Sequence, residues 1–170
     1  MGKVAILLGS KSDLEVVRAA FDVLDDFGVE FTARILSAHR TPAEAAEFAA
    51  GAAEAGYKVV LCAAGMAAHL GGVVAAYTTL PVVGIPMVSE PFKAADSLLS
   101  IVQMPPGVPV AAVTAGKAGA KNAALFAVEI LATADPVLAE KLRDFRARQK
   151  EQVLAADAEL SRELAARSAR

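Results

Sequence analysis

The stretch Lys3-Val4-Ala5-Ile6-Leu7-Leu8-Gly9-Ser10-Lys11-Ser12-Asp13 decides the fold. Lys3 to Leu8 predict a strand: from Val4 on they run apolar without a break, the pattern of a strand buried on both faces of a parallel sheet. Gly9 ends the run. Residues 13–27 then carry Leu14, Val17, Phe21 and Leu24 at helical spacing. The same strand, small-residue turn and helix recur along the chain. Apolar runs at 30–36, 58–63, 81–86 and 108–114 predict four more buried strands. Helical stretches at 42–55, 66–77, 94–103 and 118–132 lie between and after them. Strands alternating with helices imply an α/β fold in three layers, a parallel sheet with helices on both faces. Right-handed crossovers bring the C-terminal ends of the strands to one edge, where open sheets of this kind bind ligands.

A flavodoxin-like strand order within this Rossmann-like architecture is the expectation. Residues 1–135 form the α/β unit. Residues 136–170 form a C-terminal helical extension, with Leu138, Leu142, Phe145, Val153 and Leu154 among many charges. No strand remains for it to cover, so it packs on its own unit or on a neighbouring subunit. Its last six residues are expected to fray.

The chain has 170 residues, enough for one substantial core, and 17 basic against 19 acidic side chains. That balance lacks the basic excess of a nucleic-acid binder. One cysteine, Cys62, excludes an internal disulfide and fits a reducing cytoplasm. The N-terminus runs straight into a strand, so no export is expected. Residues 59–88 contain no Asp, Glu, Lys or Arg, yet Gly65, Gly71, Gly72, Pro81, Gly84 and Pro86 interrupt them, which argues against a membrane span. Hydrophobic residues make up 55% of the chain, which points to association with further copies.

Chemistry concentrates at the ends of the strands. Gly9-Ser10-Lys11-Ser12-Asp13 offers hydroxyls, a lysine and free backbone N–H groups at a helix start, where an anion is stabilised. Equally, Ser12 or Asp13 can serve only as a helix cap. In Ser37-Ala38-His39-Arg40-Thr41-Pro42, Thr41 and Glu44 predict a capping box with Pro42 in the first turn. That leaves Ser37, His39 and Arg40 on the ligand edge. Arginine grips phosphate with paired N–H groups, and histidine moves protons near neutral pH. The third strand leads into Ala64-Gly65-Met66-Ala67-Ala68-His69, where small residues allow a flat ligand close approach. His69 either lines that pocket or bonds a buried backbone group. Residues 89–100 form a lid or an ordinary crossover. With two histidines and one cysteine, no metal centre is expected.

Taken in order, five segments resemble the N5-carboxyaminoimidazole ribonucleotide mutase family, also called the catalytic subunit of phosphoribosylaminoimidazole carboxylase. They are Gly9 to Asp13, Ser37 to Pro42, Ala67-Ala68-His69-Leu70, the run Asp96-Ser97-Leu98-Leu99-Ser100-Ile101-Val102-Gln103-Met104-Pro105, and Gly116-Lys117-Ala118-Gly119-Ala120-Lys121-Asn122-Ala123. The resemblance implies a small ribonucleotide substrate whose carboxyl group moves from the exocyclic nitrogen to ring carbon C4. Decarboxylation and recapture of CO2 in a closed pocket is the implied route, with no cofactor. It further implies that His39 is the catalytic acid and base. Ser10, Asp13 and Arg40 would hold the ribose phosphate. Ser12, Ser37, Ala64, Gly65, His69 and Lys117 would line the pocket. An octamer with intersubunit sites is implied as well.

Three places depart from the family. Gly71 stands where proline is common and Met66 where a second glycine is common. Phe92, Lys93 and Ala94 replace a Leu-x-Gly. The nearest rival is the related class II enzyme, which carboxylates aminoimidazole ribonucleotide directly with CO2; its comparable motif carries lysine where Arg40 stands. A non-enzymatic nucleotide-binding module on the same fold is the rival of another class.

Overall fold

A computed structural model describes residues 2–168. β1 (Lys3–Leu8) leads through a one-turn 3-10 helix (Lys11–Asp13) to α1 (Leu14–Phe27). β2 (Phe31–Ile35), α2 (Pro42–Gly51), β3 (Tyr57–Ala64), α3 (Leu70–Tyr77), β4 (Val82–Pro86), α4 (Ala95–Val102), β5 (Ala111–Ala112), α5 (Gly116–Ala132) and α6 (Pro136–Ser168) follow. The five strands are ordered β2-β1-β3-β4-β5 and every pair is parallel, the flavodoxin-like order.

Strand periodicity divides the core in two. Val4, Ile6 and Leu8, with Val59, Leu61, Ala63, Val83 and Ile85, face α1, α5 and the start of α6. Ala5, Leu7, Val60, Cys62 and Val82 face α2, α3 and α4. Side chains of one strand alternate between faces, so a strand with helices on both sides must be apolar at every position. β1, β3 and β4 obey this except at Lys3 and Lys58, where β1 and β3 begin. β2 does not: it is an edge strand, with Ala33, Arg34 and Ile35 exposed.

β5 holds two paired residues, both exposed, rather than the seven of the predicted run 108–114. Pro109 has no N–H to give a ladder, and an edge strand has only one neighbour to align it. The chain then turns into α5 so tightly that a methyl group on Gly119 would fall 1.6 Å from the Thr114 carbonyl oxygen. No residue but glycine passes there. α3 begins at Leu70 rather than 66, because Met66 has φ 55° and cannot start a right-handed helix.

α6 has two halves. Asp135 accepts the N–H groups of Val137 and Leu138 at 3.0 and 3.2 Å, and Pro136 occupies the first turn. Leu138 is fully buried, Phe145 meets Phe27 edge-on at 5.7 Å, and Lys141 Nζ donates to the Phe27 carbonyl. From Arg146 to Arg167 every residue is exposed, a rod of roughly 33 Å at 1.5 Å per residue. The expected fraying does not begin before Ser168, where the helix is still intact; 169 and 170 lie outside the described residues. Among the described residues no helix is long and apolar enough to cross a membrane.

Candidate active site

The loops after β1, β2, β3 and β4 meet at the C-terminal edge of the sheet and enclose a cleft of about 470 Å³. The wall contributed by β1 is built from hydroxyls. Gly9 N–H extends the sheet to the Ala63 carbonyl at 2.9 Å, which fixes the turn. Ser10, extended at φ −150°, caps the short 3-10 helix by accepting the Ser12 N–H at 3.3 Å. The Ser12 hydroxyl lies 2.8 Å from Ser10 Oγ and 3.4 Å from Asp13 Oδ1. Ser10 is therefore the cap here; Asp13, at the start of α1, makes no side-chain cap bond. Burial raises the Asp13 pKa above its ordinary value, against hydrogen bonds from Ser10 and Ser12 that lower it.

The β2 loop is tied to itself. Ser37 Oγ accepts the N–H groups of His39 and Arg40 at 3.4 and 3.3 Å. Thr41 Oγ1 accepts the Ser37 N–H at 2.8 Å and donates to the Ser37 carbonyl at 3.2 Å. The predicted capping box does not form, because Thr41 turns back to Ser37 and makes no cap bond to α2. Five chain positions are thereby locked into one turn that presents His39 and Arg40 outward. Both are exposed, and Arg40 takes part in no ion pair among the described residues.

His69 comes from the other side, at the end of the β3 loop. Its Nδ1 lies 2.9 Å from His39 Nε2, with the rings edge-on at 75°. Neither alternative for His69 from sequence anticipated this partner: it lines the cleft and bonds a side chain. One ring must supply an N–H and the other a lone pair. Gly65 brings the ends of β3 and β4 together, since a methyl group there would stand 3.3 Å from Met87 Cβ.

Ser10, Ser12, Asp13, Ser37, His39, Arg40, Ala64, Gly65 and His69 thus share one cleft. Lys117 does not. It is exposed on another groove, beside Glu15, Arg18 and Asp22. Met66, Ala67, Met87, Val88 and Ser89 also line the cleft, and sequence reasoning left them out of the site. The last three directly follow β4, so the strand-end rule that found His39 was sufficient to find them. The cleft is open on one side, with His39 and Arg40 at its mouth, so a single chain does not form the closed pocket expected from the sequence. No cluster of three or more His, Cys, Asp or Glu side chains is arranged to hold a metal among the described residues.

One cleft thus brings together the Ser10 and Ser12 hydroxyls, Arg40 and the His39–His69 pair. The family model described as AIR carboxylase matches residues 3–152.

The chain belongs to the AIR carboxylase family.

Relatives named N5-carboxyaminoimidazole ribonucleotide mutase match it closely. That of Vibrio parahaemolyticus is 50% identical over 153 residues, covering 90% of this chain and 95% of the relative. That of Pyrococcus abyssi is 53% identical, covering 86% and 83%. The crystal structure of Treponema denticola PurE superposes with a TM-score of 0.85 at 28% identity, covering 94% of this chain and 99% of that one. Two departures noted in the sequence fall on strained backbone. Met66 and Ala94 adopt φ 55° and 75°, the region glycine occupies at least cost.

Proposed function

We propose that this chain is an N5-carboxyaminoimidazole ribonucleotide mutase, moving a carboxyl group from the exocyclic nitrogen of an aminoimidazole ribonucleotide to its ring carbon C4. The observation that carries this reading is the His39–His69 contact at 2.9 Å, in the same cleft as the free Arg40 and the Ser10–Ser12 hydroxyls. Arg40 and the serines grip the 5′-phosphate, and the Asp13 carboxylate accepts from ribose hydroxyls. The imidazole ring then spans toward the two histidines.

The carbamate C–N bond breaks, its electron pair stays on nitrogen, and His39 donates the proton that nitrogen needs. The products of this step are CO2 and the neutral aminoimidazole. Carbon C4, made nucleophilic by the amino group, attacks CO2. His39 takes the proton that leaves C4, and the cycle closes with no net proton. His69 holds the His39 ring in place between the two transfers. General acid–base help of this kind is worth about 10² to 10⁴ in rate.

An escaping CO2 would end the reaction, so the open mouth must close. A homo-octamer with sites completed by neighbouring subunits closes it, together with the loop of residues 87–94. Support comes from the exposed half of α6, with Val153, Leu154 and Leu160 more than half exposed, and from exposed Phe92 and Leu99 beside the cleft's own loop. The helix would lie along a second copy. Lys117 enters a site from such a neighbour. The cytoplasm is the matching compartment for the buried thiol of Cys62, whose pKa burial pushes up.

His39→Asn is the test. The variant should bind the nucleotide with unchanged affinity and lose turnover by at least about a hundredfold. Retained turnover would overturn the assignment, and a parallel loss of affinity would recast His39 as a binding residue.

A further inference from the structure

Met87, Val88 and Ser89 continue β4 past the sheet edge, and their backbone is pinned at three points. Met87 N–H donates to the Ala64 carbonyl at 2.9 Å. The fully buried Ser97 donates its hydroxyl to the Met87 carbonyl at 2.9 Å. The Ser89 carbonyl accepts the Lys93 N–H at 2.8 Å. Within this fixed frame one group is left over. Ser89 Oγ is buried and is the one buried side-chain polar atom without a hydrogen-bond partner among the described residues. It would lie 3.8 Å from a methyl group placed on Gly65, and Ser89 itself lines the cleft that holds His39.

A buried hydroxyl without a partner is destabilising, and native structures seldom keep one without a use. No bond opposes rotation of this hydroxyl about χ1 from its inward position to the cleft. Its place in the sheet order says what it would meet there. Arg40, Ser10 and Asp13 belong to the loops of β2 and β1. The histidines come next, on the loops of β2 and β3. Ser89 follows β4, two strand spacings from β1, or roughly 10 Å. With a phosphate held at the β1–β2 side, the base end of the nucleotide falls toward Ser89. The strong hydrogen-bond acceptor at that end is the carboxylate.

We propose that Ser89 is a substrate-contacting specificity residue, donating its hydroxyl hydrogen to the carboxylate of the nucleotide once that group is on C4. This rests on the mutase reading and deepens it. It assigns Ser89 no proton transfer: the hydroxyl orients the carboxylate in the plane of the ring and distinguishes carboxylated from plain nucleotide.

Calorimetric titration of the full chain with two ligands tests it: the C4-carboxylated aminoimidazole ribonucleotide, and the same nucleotide without the carboxylate. Ser89→Ala should weaken the carboxylated ligand roughly ten- to hundredfold and change the plain one less than about twofold. The melting temperature should hold or rise, because an unsatisfied hydroxyl has been removed. Unchanged affinity for both ligands would overturn the proposal, as would equal weakening of both. Should Ser89→Ala fail to fold, Ser89→Cys applies the same two-ligand comparison with a weaker donor, and equal affinities ratios to wild type would again overturn it. If the wild-type protein binds neither nucleotide, the mutase reading itself fails, and this inference with it; wild-type binding without discrimination by the variants defeats only the inference.

Discussion

The loop after β2 and the loop after β4 flank the same cleft and are built on opposite principles. Residues 37–41 satisfy themselves: the hydroxyls of Ser37 and Thr41 accept the N–H groups of Ser37, His39 and Arg40 within one turn. Residues 87–94 rely on a remote anchor, the Ser97 hydroxyl, and contain two non-glycine residues at positive φ, Lys93 and Ala94. The first loop presents His39 and Arg40, the proton carrier and phosphate grip of the proposed mechanism, without a residue at positive φ. The second holds two strained residues and the unpaired Ser89 hydroxyl, on the cleft wall where the proposed carboxylate contact is made. Reactive groups that need fixed geometry stand on the self-tied loop, and contacts that need adjustment stand on the anchored one.

The contrast can be broken by cutting each loop's support. Ser97→Ala should have the largest effect on the fold, since it removes the donor to the buried Met87 carbonyl and its second contact to the Ala94 carbonyl at 3.2 Å. A loss of about 1–3 kcal/mol is expected, visible in thermal or urea unfolding. Ser37→Ala should cost less stability, about 1 kcal/mol or under, because water reaches the freed N–H groups. Its signature is instead about a tenfold fall in kcat/KM as His39 and Arg40 lose their fixed directions. If Ser37→Ala leaves kinetics untouched, the self-tied loop is not what positions His39.

Ala94→Gly sharpens the comparison in the other direction. Glycine relieves a φ of 75°, and a gain of about 0.5–1 kcal/mol, or roughly 1–4 °C in melting temperature, is expected. No gain would mean that the anchored loop carries no strain.

The smallest effect belongs to the β1 loop. Burial raises the Asp13 pKa in the folded state above its ordinary 3.8. The folded protein then holds more protons than the unfolded chain in the window that opens at 3.8 and ends at the raised value. Stability therefore falls as pH rises through that window and stays at the lower level above it. Asp13→Asn removes the effect. Its melting temperature should exceed the parent's at pH 7 and converge with it below pH 3.8.

Most of the fold was legible because the core is periodic. Val4 to Leu8 can only be covered on both faces, and β1 has the predicted bounds. Legibility fails where tertiary contacts override local signals. Thr41 and Glu44 spell a capping box, but Thr41 Oγ1 is engaged by Ser37. The apolar residues of 108–114 spell a strand, but an exposed edge beside Pro109 pairs only two of them. At the site, His39 and Arg40 follow from the strand-end rule. The contact of His39 with His69, 30 positions away, depends on how the β2 and β3 loops converge, which spacing does not encode. Lys117 shares a motif with the family yet stands on another groove of this chain, because it lies in the first turn of α5, which packs along α1 and places it beside Glu15, Arg18 and Asp22.

In the proposed mechanism one histidine, in a cleft that closes over CO2, moves a carboxyl group within a single substrate molecule. Carbamate substrate labelled with ¹³C at its carboxyl carbon, turned over in unlabelled bicarbonate, tests it most directly. Retention of the label in the C4 carboxylate is the predicted result. Product that carries unlabelled carbon, or that forms only when bicarbonate is added, would contradict it.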